Sequence, residues 1–182
     1  MKELENIPFT EDIRVEAMEY AEGGVWAEFG VFKGGSARHW LNYMPDGTHI
    51  HLFDSFKGLP EHWDMGNNKP RPIPPFYLEE HEIPVFNDIR VTLHKGLFKD
   101  TLPCDMGVLS FVHIDCDLYS STVTVLDNIE VEPGTIILFD EYHGYPNYQA
   151  HERKAYFEWA ERTGNTLTWL VKGRMSALGR VN

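Results

Sequence analysis

Short apolar runs recur along the chain at residues 25–29, 49–53, 89–94, 108–114 and 135–139. Each is rich in β-branched or aromatic side chains and closes near Gly or Asp, which predicts strands. The second alternates as His-Ile-His-Leu-Phe. Between the runs lie segments with helical spacing at 35–43, in part of 78–87, at 120–129 and at 152–163. The last is the clearest, with Ala155, Tyr156, Trp159 and Ala160 on one face and Gly164 as its stop. A first helix is expected over 10–22. Thr10 can cap it, Glu11 and Asp12 suit its first turn, Val15, Met18 and Tyr20 give it a partly apolar face, and Gly23-Gly24 end it. Strands alternating with helices predict an α/β fold with a mainly parallel sheet. Two adjacent strand-like segments, 166–171 and 175–181, flank Lys172-Gly173-Arg174, which reads as a hairpin turn adding an antiparallel strand.

Residues 64–75 stand apart, with Pro70, Pro72, Pro74 and Pro75 clustered. Prolines stiffen a segment without helix or ladder bonds. It follows the second strand, where loops in such sheets cover active sites, so a lid and a plain connector are both open readings.

The 182 residues suffice for one domain with a real core. Lys+Arg number 16 and Asp+Glu 28, a net charge of −12. Such a chain lacks the electrostatic drive to bind nucleic acid or an anionic membrane. Two cysteines, Cys104 and Cys116, suggest neither a disulfide framework nor a zinc knuckle. With an acidic start lacking an apolar signal core, they point to a reducing, cytoplasmic setting. The longest apolar stretches are too short to span a bilayer.

Three groups of residues carry candidate chemistry. The first is Glu28-Phe29-Gly30-Val31-Phe32-Lys33-Gly34-Gly35-Ser36, which leaves a strand and opens a helix. Its glycines permit a tight turn and close approach of a ligand, and the helix start offers free N–H groups. It matches neither the dinucleotide nor the P-loop pattern. An acid two positions before the first glycine would repel a pyrophosphate and welcome an ammonium group. The second is Asp54, at the end of the second strand, where an acid can accept hydrogen bonds from ribose hydroxyls. The third pairs His113-Ile114-Asp115-Cys116-Asp117 with Phe139-Asp140-Glu141-Tyr142-His143. Adjacent parallel strands would bring Asp115, Asp140 and Glu141 within reach of one divalent cation, Mg²⁺ or a similar oxygen-seeking ion. Cys116 between two acids is a poor thiolate. His143 is a candidate general base, whereas His113 reads as a packing residue. Trp26, Trp40, Trp159 and Trp169 read as core. Trp63 and Phe76 are candidates to line a substrate pocket.

Taken together these residues resemble class I S-adenosylmethionine-dependent methyltransferases, and more closely the macrocin O-methyltransferase-like family. The segments carrying the resemblance are residues 28–35, the Asp54-Ser55-Phe56-Lys57-Gly58-Leu59-Pro60 block, residues 96–103, Asp115-Cys116-Asp117-Leu118-Tyr119-Ser120-Ser121-Thr122 and Asp140-Glu141-Tyr142. They occur in the family's order and cover roughly residues 24–160. The resemblance implies a Rossmann-like, mostly parallel seven-stranded sheet with a C-terminal antiparallel hairpin strand. It implies one methyltransferase domain over 1–182, with an N-terminal helix within 1–23 and a candidate lid loop at 57–80. It also implies S-adenosyl-L-methionine as cofactor. The Gly30/Gly34 loop, with Gly35 and Ser36, would hold the methionine part and Glu28 would lie near its amino group. Asp54, with Ser55 and Phe56, would bind the ribose, and Gly96, Leu97 and Phe98 would neighbour the adenine. Asp115, beside the cofactor, would hold Mg²⁺ with Asp140 and Glu141. The implied reaction is O-methylation of a small hydroxylated molecule such as a sugar or glycosylated natural product. His143 or one of the acids would take the proton. The family more often shows Asp-Asp-Tyr where this chain has Asp140-Glu141-Tyr142, so Glu141 presents its oxygens one methylene further out. Family members usually carry longer N-terminal helices and inserted lids, so a smaller or more open site is expected here.

Two other classes fit some of the same residues. A metal-dependent hydroxylase or hydrolase could use the acids, with His113, His143 and Asp115 supplying a 2-His-1-carboxylate set. A protein that binds the cofactor without catalysis, or as a subunit, is the other. A homodimer is the expected assembly.

Overall fold

The computed structural model describes residues 2–66 and 75–182. The prolines at 70, 72 and 74 lie outside the described residues, so the core of the expected lid loop does too.

The chain forms a seven-stranded sheet: β1 (Val25–Phe29), β2 (His49–Asp54), β3 (Val91–Lys95), β4 (Val108–Ile114), β5 (Glu130–Phe139), β6 (Leu167–Lys172) and β7 (Ala177–Val181). The spatial order is β3-β2-β1-β4-β5-β7-β6. The first five strands run parallel, and β7 is antiparallel to both β5 and β6. This is the expected Rossmann-like sheet. The order reverses between β1 and β4, where carboxyl ends of strands open a crevice for ligands.

Helices cover both faces, so the central strands are apolar on both sides. On one face α1 (Ile13–Tyr20) and α2 (Gly35–Tyr43) pack Ile13, Ala17, Ala37 and Trp40 against Trp26, Ile50, Phe111 and Leu138. On the other, α4 (Tyr119–Leu126) and α5 (Glu152–Thr163) pack Val125, Leu126, Ala155 and Trp159 against Phe29, Val112, Ile137 and Phe139.

Several boundaries differ from expectation. The cap of α1 is Asp12, which accepts from the Arg14 N–H (3.2 Å), while Thr10 accepts from Asp12 one step earlier. Only a 3-10 turn, Glu80–Glu82, forms within 78–87, because Pro84 lacks an N–H and steers Ile83 to an extended backbone. Strand β5 begins at Glu130 rather than Thr135, and its ladder with β4 shifts register between Leu109 and Phe111. The four-residue helix α3 (Phe98–Thr101) was not expected.

Because α3 alone links β3 to β4, the α4/α5 face of β2 and β3 carries half-buried histidines instead of aliphatics. His51 Nδ1 lies 2.9 Å from His94 Nε2, and His94 stacks on Phe53 with centroids 4.2 Å apart. Burial, then the charges of His94 and His49, push the His51 pKa down to about 4. Between pH 6.5 and 4 the unfolded chain therefore binds a proton that the folded chain refuses, so stability falls as pH drops through this window. In His51→Phe the loss of thermal midpoint between pH 7 and pH 4.5 is expected to shrink by roughly 2 °C or more relative to the wild type; equal slopes would contradict the assignment.

Candidate active site

The strand ends at the β1/β4 reversal are tied together by main-chain bonds. Gly30 N–H donates to Phe53 O, Asp115 N–H to Phe29 O, Gly96 N–H to Asp54 O, and Asp140 N–H to Ile114 O, each at 2.9–3.0 Å. Gly30 sits at φ +100°, and a Cβ there would overlap the Asp115 carbonyl oxygen. Only glycine fits this crossing of the two strand ends.

Asp54 holds the loop that follows. Its Oδ2 accepts from the N–H groups of Val31 (2.8 Å) and Phe32 (2.7 Å), and its Oδ1 from Phe56 (2.7 Å). A carboxylate offers about four acceptor positions, so about one remains for a hydroxyl. The expected ribose acid is thus also the residue that shapes the glycine loop, a role the sequence did not reveal.

At the ends of β4 and β5, carboxylate oxygens of Asp115, Asp140 and Glu141 lie within 4.8 Å of one another. Glu141 reaches the group despite its extra methylene, and its buried Oε2 has no hydrogen-bond partner among the described residues. Burial raises the pKa of Asp115 well above the carboxylate range, and Asp140 adds to it; burial and then Asp115 do the same to Glu141.

Beneath them His113 is buried, with Nδ1 3.1 Å from Glu28 Oε2. Burial alone would lower its pKa, but the hydrogen bond and charge of Glu28, with Asp115 and Asp140, push it up to about 9. The imidazole is therefore a buried cation under the acids at neutral pH. Its Nε2 is buried without a hydrogen-bond partner among the described residues.

Two cavities meet at Asp115. The first, about 380 Å³, is lined by Gly30, Asp54, Ser55, the Gly96-Leu97-Phe98 segment, Asp117 and the start of α4 at Ser120 and Ser121. It is the size of a small-molecule site. Phe32 and Phe76 stand at its partly exposed rim with ring centroids 5.5 Å apart, edge to face, both at positive φ. The second, about 480 Å³, lies at the start of α2 and is lined by Gly35, Ser36, His113, Asp115, Asp140 and Arg14.

Four expected site residues lie elsewhere. Glu28 is fully buried and already accepts from Ser36 Oγ and Trp40 Nε1 besides pairing with His113, so it faces the α2 layer rather than a ligand. Phe56 packs in the core against the α1/α2 face. Gly34 forms the left-handed cap of α2, backed by Phe86 and Pro84, and lines neither cavity. His143 is turned to β7, where its Nε2 lies 3.1 Å from Ser176 O, and it too lines neither cavity. The chain beyond Asp140 is bonded to the turn between β6 and β7, with the His143 N–H donating to Met175 O (2.9 Å), which carries the imidazole away from the acids; a general-base role for it is not supported. Trp63 is likewise buried, near Tyr145.

Sequence reasoning missed Glu152, a fully buried carboxylate at the start of α5 that accepts from the main chain of both Cys116 and Glu141. Its signal was only that of a first-turn acid. Asp117, buried at positive φ against the first cavity, was also given no role.

Three comparisons bear on this arrangement. A family model described as Macrocin-O-methyltransferase (TylF) matches residues 1–158. A tetracenomycin-tailoring protein of Streptomyces olivaceus, 8-demethyl-8-(2,3-dimethoxy-alpha-L-rhamnosyl)-tetracenomycin-C 4'-O-methyltransferase, is 31% identical over 166 residues. The match covers 78% of this chain and 60% of that protein, so the chain spans about three fifths of its relative's length. Among solved structures, the calicheamicin methyltransferase CalS11 superposes with a TM-score of 0.71 at 22% identity, covering 93% of this chain and 76% of that one. The O-methyltransferase NovP gives 0.69 at 23%, covering 92% and 77%. Both share the fold.

The two glycines of the loop make a direct contrast. Gly30→Ala is expected to destabilise the protein by about 2 kcal/mol or more in urea unfolding, from left-handed strain and overlap. Gly35→Ala, where an added Cβ meets nothing within 4 Å, is expected to be neutral or stabilising by less than about 1 kcal/mol. Similar costs at both positions would contradict the close crossing at Gly30.

Proposed function

The chain belongs to the TylF, or macrocin O-methyltransferase, family, and from that membership we propose that it transfers the methyl group of S-adenosyl-L-methionine to a hydroxyl of a sugar or glycosylated small molecule. The observation that carries the reading is Asp115, which lies on the wall of both cavities. With its nucleoside in the first and its amino-acid end in the second, the donor would present its methyl group beside that carboxylate. The relative's name places its reaction on a rhamnosyl 4'-hydroxyl, which favours a glycoside as acceptor. The net charge of −12 argues against a nucleic-acid substrate.

The first cavity suits the nucleoside part. Leu97 and Phe98 offer apolar surface to a base, and Asp54 keeps about one acceptor position for a ribose hydroxyl. On the second cavity Arg14 and the free N–H groups at the start of α2 suit the carboxylate of the amino-acid end. A sulfonium methyl is already activated, so the protein mainly aligns it with an oxygen nucleophile and keeps water out. Phe32 and Phe76 would shield the first cavity from solvent. Asp115 would take the hydroxyl proton at its carboxylate, since His143 is out of reach.

A divalent cation such as Mg²⁺ fits the acid cluster, because three carboxylates converge and one buried Glu141 oxygen lacks a partner among the described residues. Asp115, Asp140 and Glu141 would hold it. Bound there, such an ion lowers the pKa of a substrate hydroxyl and orients it. His113 and Glu28 hold the floor of the cluster from below.

The test is transfer of labelled methyl from S-adenosylmethionine to a panel of O-rhamnosides and related glycosides. Label should appear on a sugar hydroxyl, Asp115→Asn should lower turnover by about 10²-fold or more, and chelation of divalent ions should reduce it. Cofactor binding with no transfer to any hydroxylated acceptor would instead identify a binding protein.

A further inference from the structure

Asp115 and Asp140 sit on neighbouring strands whose ladder ends at the Asp140 N–H bond to Ile114 O (2.9 Å). The next two amides, Cys116 and Glu141, are both donors, and neither can serve the other. Glu152 answers both. Its Oε1 accepts from the Cys116 N–H (3.2 Å) and its Oε2 from the Glu141 N–H (3.1 Å). The side chain is wholly buried and comes from the first turn of α5.

A further carboxylate is unfavourable here, beside Asp115, Asp140 and Glu141, and packing alone would favour a neutral side chain. What the carboxylate supplies is geometry: two acceptor atoms one side chain apart, bridging the two strand ends. We propose that Glu152 is the positioning residue of the acid cluster, a clamp that fixes Asp115 relative to Asp140 and Glu141 so that the three can share one divalent cation. This rests on the reading of the cluster as a cation site given above. Glu152 itself offers both oxygens to the main chain and so acts through the other three.

The clamp makes a requirement that neither charge nor volume alone can meet. Glu152→Gln keeps the shape but turns one acceptor into a donor facing an N–H. Glu152→Asp keeps the charge but withdraws it by one methylene, too short to span both amides. The experiment is titration of Mn²⁺ into metal-stripped wild type and both variants, read by electron paramagnetic resonance. S-adenosylmethionine titration and a thermal melt serve as controls for folding, and hydrogen exchange reports the Cys116 and Glu141 amides.

Both variants should bind Mn²⁺ about 10-fold or more weakly while still binding S-adenosylmethionine, with both amides exchanging faster. Wild-type affinity in Glu152→Gln would mean that Glu152 only fills space, and wild-type affinity in Glu152→Asp would mean that only its charge matters. Either result overturns the proposal and leaves the cation site standing. No Mn²⁺ binding to the wild type, with cofactor binding intact, would remove the cation reading itself and the clamp with it.

Discussion

Carboxyl groups are crowded into the ends of two neighbouring strands, and much of the surrounding structure answers that crowding. Asp115, Asp140, Glu141 and Glu152 meet where β4 and β5 stop, and Asp117 lies close by in the first cavity's wall. Burial, reinforced by neighbouring acids, raises the pKa values of Asp115, Glu141 and Glu152 well above the carboxylate range. Such a cluster survives in a folded core only if positive charge and N–H donors are aimed at it. His113 supplies the charge from below, held protonated mainly through Glu28. Two main-chain amides answer Glu152. A cation shared by the other three acids would complete the balance.

The same strand ends set the shape of the ligand space. Glycine at position 30 lets β1 and β4 approach so closely that Asp115 emerges between two cavities rather than inside one. Asp54 fixes the loop beyond that crossing by accepting hydrogen bonds from two of its amides, Val31 and Phe32, which aims Phe32 at the rim of the first cavity. Glu28, one strand position before the turn, ties the loop, helix α2 and His113 into a single buried network. The acid cluster and the glycine loop are therefore mechanically coupled, though they lie on different strands.

What the sequence revealed follows from which signals are local. Strands β1 and β4 and helices α2 and α5 were legible to the residue, because apolar runs end sharply at Gly or Asp and Ala155, Tyr156 and Trp159 repeat at helical spacing. The convergence of Asp115, Asp140 and Glu141 was legible because all three close adjacent parallel strands. Side-chain direction was not. In a sheet buried on both faces the residues do not alternate in polarity, so nothing distinguished Glu28 facing Trp40 from Glu28 facing a ligand. Phe56, next to the site in sequence, turns into the core at positive φ. His143 lies three residues from Asp140 yet is bonded to Met175 and Ser176, in the turn that leads into β7. Helix α3 has four residues, too few to show a period, and Glu152 carries no mark beyond a common first-turn preference for acids.

The central claim is that Asp115 marks the junction of donor, acceptor and cation. The most direct measurement is a crystal structure of the protein with S-adenosylhomocysteine and Mn²⁺, with the ion located by anomalous scattering. The account predicts the adenine beside Leu97 and Phe98, the homocysteine sulfur close to Asp115, and one anomalous peak bounded by Asp115, Asp140 and Glu141. A ligand seated away from Asp115, or Mn²⁺ bound elsewhere with these three carboxylates unliganded, would contradict it.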